Sequence, residues 1–259
     1  MSFKIPKLTV VGAGPGDPEL ITLKAIKALK SADVVLYDAL VNEELLAYIN
    51  PKTEQIFVGK RRGCYQYQQE QINELIVNRA KKFGHVVRLK GGDPFIFGRG
   101  AEEMEYAANF GLEVAVVSGI SSSMAVPAYQ NIPLTKRGSA ESFWVITGTT
   151  RTHKISNDIK LAAQSNATVV VLMGMSKLAE IVTLFQAEGK NELPVAIIQN
   201  GTRKDEKVGI GTVDTIQSVV QELDLKNPAI ILLGEVVNHR KHIYELQDFY
   251  ANDLRGLIS

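Results

Sequence analysis

Short apolar runs alternate with segments of helical periodicity through the first half of the chain, and this alternation limits the fold most. Leu8–Gly12, Val34–Tyr37, Val86–Leu89 and Val114–Val117 are runs of strand length. Between them, Leu20, Leu23, Ile26, Ala28 and Leu29 recur at helical spacing. So do Ile72, Leu75, Ile76 and Ala80 within Gln68–Phe83, a segment ended by Gly84. Ala101–Phe110 and Ser121–Tyr129 read as further helices, and Asp17-Pro18-Glu19 reads as a helix start with Asp as N-cap. Strands alternating with helices imply a largely parallel sheet covered on both faces.

The pattern changes near Pro133–Ser142. Strand runs follow at Phe143–Thr147, Thr168–Met173, Val195–Gln199, Val208–Val213 and Ile230–Val237, with helices at Ile155–Ala163, Lys177–Glu188 and Thr215–Leu223. Val195–Gln199 and Val208–Val213 have no helix between them, which predicts a hairpin and a mixed second sheet. The expected architecture is two α/β domains, residues 1–137 and 138–259, with a cleft between them as the ligand site.

A net charge of +1 supplies no global field for nucleic acid or an anionic membrane. The single cysteine, Cys64, excludes an internal disulfide and fits a reducing compartment. No apolar leader opens the sequence, and no uncharged run approaches the roughly 18–20 residues of a membrane span. The expected location is the cytoplasm. The four histidines are scattered, so no metal-ligand spacing is present.

Gly12-Ala13-Gly14-Pro15-Gly16-Asp17 follows the first strand, and Asp38 ends the second. A dinucleotide-binding fingerprint is one reading, but its third glycine comes one residue early and Asp17 would repel a phosphate at the helix start. A tight strand-to-helix turn is the other reading. More specific is Arg88-Leu89-Lys90-Gly91-Gly92-Asp93-Pro94-Phe95-Ile96-Phe97-Gly98-Arg99-Gly100. A strand that stops at Gly-Gly-Asp-Pro brings bare main chain close to a partner.

Taken in order, Gly12–Asp17, Val34–Asp38, Val58-Gly59-Lys60-Arg61, Gln69–Asn73, Arg88–Gly100 and Ile132–Arg137 resemble the tetrapyrrole methylase family, in the branch that acts on uroporphyrinogen III. The resemblance runs from Leu8 to about Val237. It implies a homodimer with S-adenosyl-L-methionine (SAM) folded into the interdomain trough. The implied reaction methylates uroporphyrinogen III at C2 and then C7, giving precorrin-2 through precorrin-1 for sirohaem or cobalamin synthesis, with S-adenosyl-L-homocysteine released and no metal required.

The resemblance assigns Asp38 as proton acceptor and Lys60 as proton donor. It assigns Pro15, Gly91, Gly92, Asp93, Ile96, Ser121, Ser122, Met173, Gly201 and Ala229 to the cofactor. Arg61, Arg99 and Arg137 are candidate contacts to a polycarboxylate, since guanidinium forks bind carboxylates in pairs. Without the resemblance, Met173 reads as core. The chain departs from the usual pattern at Lys136, Tyr65 and Ser118, where His, His and Pro are common. A sister methylase with another substrate and a non-catalytic NAD(H)-sensing module are the remaining alternatives. A fused enzyme that also oxidises its product or inserts iron needs more chain than the methylase pattern leaves.

Overall fold

The computed structural model describes residues 5–59 and 67–258, with side chains as far as residue 249. The chain forms two compact units, Met1–Ser122 and Ser123–Ser259. The division falls earlier than the 137/138 boundary expected from the sequence. Val126 and Ile132 explain it, because both are buried in a core cluster with Val170, Ile198 and Leu232 of the second unit.

The first unit runs β1 (Lys7–Gly12), α1 (Leu23–Ser31), β2 (Val34–Tyr37), β3 (Glu54–Phe57), α2 (Gln69–Phe83), β4 (His85–Lys90), α3 (Gly100–Asn109) and β5 (Glu113–Val117), and the chain then enters α4 (Ser122–Tyr129). The five strands lie in the order β3-β2-β4-β1-β5, all parallel. Alternation of side chains divides the sheet into two faces. Leu8, Val10, Val34, Leu36 and Val86 cluster with Ile72, Ile76 and Ala80 of α2 and Ala107 of α3. Val11, Val35, Val87 and Leu89 cluster instead with Ala25 and Leu29 of α1. Each fully buried Val, Leu or Ile among them contributes about 1.5–3 kcal/mol of transfer free energy.

The second unit continues with β6 (Phe143–Thr147), α5 (Asp158–Gln164), β7 (Thr168–Leu172), α6 (Leu178–Ala187), β8 (Pro194–Gln199), β9 (Lys207–Thr212), α7 (Ile216–Glu222), β10 (Ala229–Leu233) and α8 (Asn238–Ile258). Its sheet has the order β6-β7-β10-β8-β9. Strands β6 and β7 are parallel, and every other neighbouring pair is antiparallel. The expected hairpin is β8–β9, and the sheet is mixed.

Three local readings change. Asp17 does cap a helical turn, accepting from Glu19 N at 2.8 Å, but that turn is a 3-10 helix of Pro18–Leu20. Ile21 is extended, and α1 starts afresh after Thr22, whose hydroxyl accepts from Ala25 N at 3.2 Å. Strand β3 was missed because Glu-Gln-Ile-Phe is a polar edge strand of low β signal. The last strand stops at Leu233, where Gly234 turns the chain (φ 151°) into a 3-10 turn over Glu235–Val237. No helix among the described residues is long and apolar enough to cross a membrane.

Candidate functional site

In a parallel sheet every strand delivers its following loop to the same edge, and ligands of open α/β sheets bind at that carboxyl edge. In the first unit, β1 delivers Gly12–Gly16 there, β2 delivers Asp38, β4 delivers Gly91–Asp93, and β5 delivers Ser118–Ser122.

These loops are fastened to one another by main chain. Ala13 N donates to Lys90 O at 2.8 Å. Gly14 N donates to Gly92 O at 3.2 Å, and Gly92 N to Gly14 O at 2.7 Å. The Asp93 carboxylate accepts from Phe95 N at 2.8 Å and from Gly119 N at 3.1 Å, tying the loop after β5 to the loop after β4. No side chain fits between them. A Cβ on Gly12 would stand 2.4 Å from Gly119 N and 2.7 Å from Gly92 O, and one on Gly119 would stand 2.3 Å from Gly92 O.

Gly92 differs. It sits at φ 66°, and a Cβ there would meet only Ser122 N, at 3.9 Å. The Cα face of Gly92, beside the start of α4, is therefore open and bare, a cradle that any other residue would fill. A bare glycine face lets a ligand the size of the methionine part of SAM approach the main chain closely. Pro15 is half-buried next to Gly14, and Ser121 is buried while Ser122 is half-buried. Ile96 lies 44% exposed between exposed Phe95 and Phe97, an apolar strip on the same loop. Gly91 approaches Leu40, whose Cβ would be 2.6 Å from an added methyl.

Asp38 is placed one residue past β2. Its Oδ1 accepts from Leu40 N at 3.1 Å and its Oδ2 from Arg88 Nη2 at 3.3 Å, while its side chain stays 22% exposed. Arg88 and Lys90 alternate on β4 and are buried with Glu103 of α3. Glu103 Oε1 accepts from Arg88 Nε at 3.2 Å, Lys90 Nζ at 3.0 Å and Gln69 Nε2 at 3.2 Å. Burial alone pushes the Glu103 carboxyl up, but Arg88, Lys90 and their hydrogen bonds outweigh it, and the group ends below its ordinary value. Burial, helped by Arg88, lowers the Lys90 ammonium. Sequence reasoning gave these three residues no role. The available signal was two cations at alternate positions of a strand that is otherwise apolar on both faces.

Arg99 is an exposed residue in left-handed backbone (φ 59°) at the start of α3, and its guanidinium is engaged by Glu102 at 2.6 Å. That hydrogen bond raises its already high pKa. Lys60 and Arg61 lie outside the described residues, as do Cys64 and Tyr65.

The second unit gathers a further set of the expected residues. Strand β8 is antiparallel to β10, and β10 to β7, so β7 and β8 end together where β10 begins. Met173 follows Leu172, which pairs with Ile230; Gly201 follows Gln199, which pairs with Ala229. Met173, Gly201 and Ala229 therefore share one sheet end. Met173 is not core: it is 51% exposed and held at φ 55°, with its carbonyl accepting from Thr149 Oγ1 at 3.1 Å. Gly201 lies against Val126, whose Cγ1 would be 2.3 Å from an added Cβ. Arg137 is exposed in the turn closed by Lys136 and Ala140, and Lys136 Nζ lies 3.1 Å from His239 Nδ1. Among the described residues no three His, Cys, Asp or Glu side chains are grouped to hold a metal ion.

Strand order removes the dinucleotide reading. That fold places β1 beside β2, whereas here β1 lies between β4 and β5. The fold is that of an α/β protein whose first sheet carries a platform of glycine main chain at its carboxyl edge. The sequence profile of the tetrapyrrole (corrin/porphyrin) methylases matches residues 7–217. A uroporphyrinogen-III C-methyltransferase of Methanocaldococcus jannaschii is 45% identical over 234 residues, covering 90% of this chain and 97% of that protein. A siroheme synthase of Methylobacillus flagellatus is 42% identical over 235 residues, which are 90% of this chain and 50% of the synthase. The crystal structure of uroporphyrin-III C-methyl transferase from Thermus thermophilus complexed with S-adenyl homocysteine superposes with a TM-score of 0.77 at 36% identity, over 90% of this chain and 99% of that one. The chain belongs to the tetrapyrrole methylase family.

Proposed function

We propose that this protein is a SAM-dependent uroporphyrinogen-III C-methyltransferase that methylates C2 and then C7, giving precorrin-2 through precorrin-1 for sirohaem or cobalamin synthesis. The observation that carries the reading is the 45% identity sustained over 97% of a relative bearing that activity as its name. A homodimer in the reducing cytoplasm is part of the same proposal.

Bound, SAM supplies an electrophilic methyl group on a sulfonium. The protein's tasks are alignment at near-attack distance and exclusion of water. Gly91, Gly92, Asp93, Ser121 and Ser122 are proposed to hold the methionine end of the donor on main chain, with Pro15 and Ile96 beside it. Met173, Gly201 and Ala229 are proposed for the adenosine end. With the donor held there, its methyl would pass to a reduced pyrrole carbon as the carbon–sulfur bond breaks, and the ring nitrogen would become acidic. Asp38 is the proposed acceptor of that N–H proton, with Lys60 as donor and Arg61, Arg99 and Arg137 pairing with substrate carboxylates.

The test is to mix the pure protein anaerobically with SAM and uroporphyrinogen III and follow macrocycle mass. Addition of one and then two methyl groups, with S-adenosyl-L-homocysteine formed in step, is the expected result. An unchanged macrocycle with intact SAM overturns the proposal.

A further inference from the structure

We infer that Glu103 is a positioning residue for methyl transfer, setting the carboxylate of Asp38 through the buried guanidinium of Arg88. The inference rests on the proposed role of Asp38 as proton acceptor.

Glu103 is 1% exposed on the first turn of α3, and Arg88 and Lys90 are nearly as buried. Arg88 is used on every side of its fork: Nε binds Glu103, Nη1 donates to Leu89 O at 2.8 Å, and Nη2 reaches Asp38. A planar guanidinium bound in three directions cannot turn, so the geometry of Glu103 passes directly to Asp38. Leu40 N holds the other Asp38 oxygen, and the carboxylate is fixed at both ends while part of it stays open to solvent. Lys90 and Gln69 fix Glu103 in turn. The opposite Glu103 oxygen, Oε2, is buried and has no hydrogen-bond partner among the described residues.

Stability does not account for this arrangement. Withdrawing each ion from water costs several kcal/mol, and apolar side chains of equal volume often hold a fold as well or better. An orphaned carboxylate oxygen adds to the cost. The benefit is orientation. A proton acceptor must meet the ring N–H along the right line, and a displacement near 1 Å can cost on the order of a hundredfold in rate.

The experiment uses the full-length enzyme with Glu103→Gln and Arg88→Lys. Glutamine keeps the size and an acceptor but loses the charge; lysine keeps a buried cation but cannot bridge both carboxylates. Turnover is measured with saturating SAM and uroporphyrinogen III, S-adenosyl-L-homocysteine affinity by calorimetry, and folding by thermal unfolding. We expect kcat to fall by at least about tenfold in each folded variant, with the affinity for S-adenosyl-L-homocysteine and the KM for uroporphyrinogen III essentially unchanged. If either folded variant keeps the wild-type kcat, or if kcat and donor affinity fall by the same factor, the inference is overturned. Should Glu103→Gln fail to fold, Arg88→Lys decides by the same criteria. A wild-type enzyme that transfers no methyl group defeats the proposed function itself, whereas an active wild type with active variants defeats only the role of Glu103.

Discussion

Gly14 and Gly92 exchange both of their main-chain hydrogen bonds, N to O at 3.2 Å and 2.7 Å, outside any continuous strand. The loop after β1 and the loop after β4 are thereby one piece of backbone, and Gly119 closes it through Asp93. The platform tolerates side chains very unevenly.

Gly119→Ala is expected to damage the fold. Its Cβ would lie 2.3 Å from Gly92 O and 2.7 Å from Gly12 Cα, and neither is the end of a flexible side chain. Overpacking of this kind costs about 1–3 kcal/mol. Thermal unfolding of the purified variant should show it, together with weaker S-adenosyl-L-homocysteine binding in calorimetry. An unshifted midpoint would mean that the loops separate easily.

Gly92→Ala is expected to lose binding without a steric clash. The added methyl meets nothing closer than 3.9 Å, and only the φ of 66° is strained, costing about 1–2 kcal/mol. The methyl occupies the open face where the donor is proposed to sit. Turnover should be lost and S-adenosyl-L-homocysteine binding should fall below detection while the variant still folds cooperatively. Binding at wild-type strength would remove Gly92 from the cofactor site.

Much of this was legible in the sequence. Leu8–Gly12, Val34–Tyr37 and Val86–Leu89 are mainly apolar, with Thr9 and Arg88 the polar positions, because helices cover both sides, so their parallel sheet is visible as runs. The Val195–Gln199 and Val208–Val213 hairpin is visible because no helix fits between them. Strand β3 is not visible: an edge strand needs only Ile56 and Phe57 to pack, and Glu54 and Gln55 hide it. Helix α8 was missed because Tyr244, Leu246 and Phe249 are exposed and interspersed with charges. The Gly91-Gly92 turn after β4 was legible because a strand that stops at Gly-Gly-Asp-Pro has a residue signature. The Arg88–Glu103–Lys90 cluster was not, because its three charges meet only once β4 and α3 are packed.

Met173 allows binding to be separated from stability. Left-handed backbone costs a residue with a Cβ about 1–2 kcal/mol, and the side chain is half exposed. Met173→Gly relieves that strain, and the greater freedom of glycine in the unfolded chain offsets about 0.5–1 kcal/mol of the gain. The unfolding midpoint should stay level or rise slightly. S-adenosyl-L-homocysteine affinity should drop by about tenfold as the apolar contact proposed to the adenosine is lost. A variant with unchanged affinity would show that the sulfur side chain touches no ligand.

His85 should make the fold acid-sensitive. Its Nδ1 lies 3.2 Å from Ser31 O and its Nε2 2.8 Å from Thr9 Oγ1, an arrangement that suits the neutral ring. Burial is the main cause that lowers its pKa below the ordinary 6.5, and the Ser31 carbonyl works against it. The unfolded chain therefore takes up this proton first, and stability falls as pH drops through about 6.5 toward the lower native value. Unfolding midpoints measured between about pH 7.5 and 5.5 should decline, and His85→Gln should flatten part of that decline. A variant with the same slope would place the acid sensitivity elsewhere.

Arg99 and Glu102 give two variants with opposite expected effects on substrate affinity. The guanidinium that is proposed to bind a substrate carboxylate is engaged by Glu102 at 2.6 Å, with both side chains more than half exposed. Substrate must therefore compete with a neighbour on the same helix. Arg99→Gln removes a charge-assisted bond worth about 1.5–3 kcal/mol, so the KM for uroporphyrinogen III should rise by about tenfold or more. Glu102→Gln frees the fork and should lower that KM. Neither change should shift the unfolding midpoint much, since an exposed pair of this kind contributes about 0–1 kcal/mol. Steady-state kinetics at fixed saturating SAM separates the cases: a KM that rises in both variants would mean that Glu102 orients Arg99 for the substrate instead of occupying it.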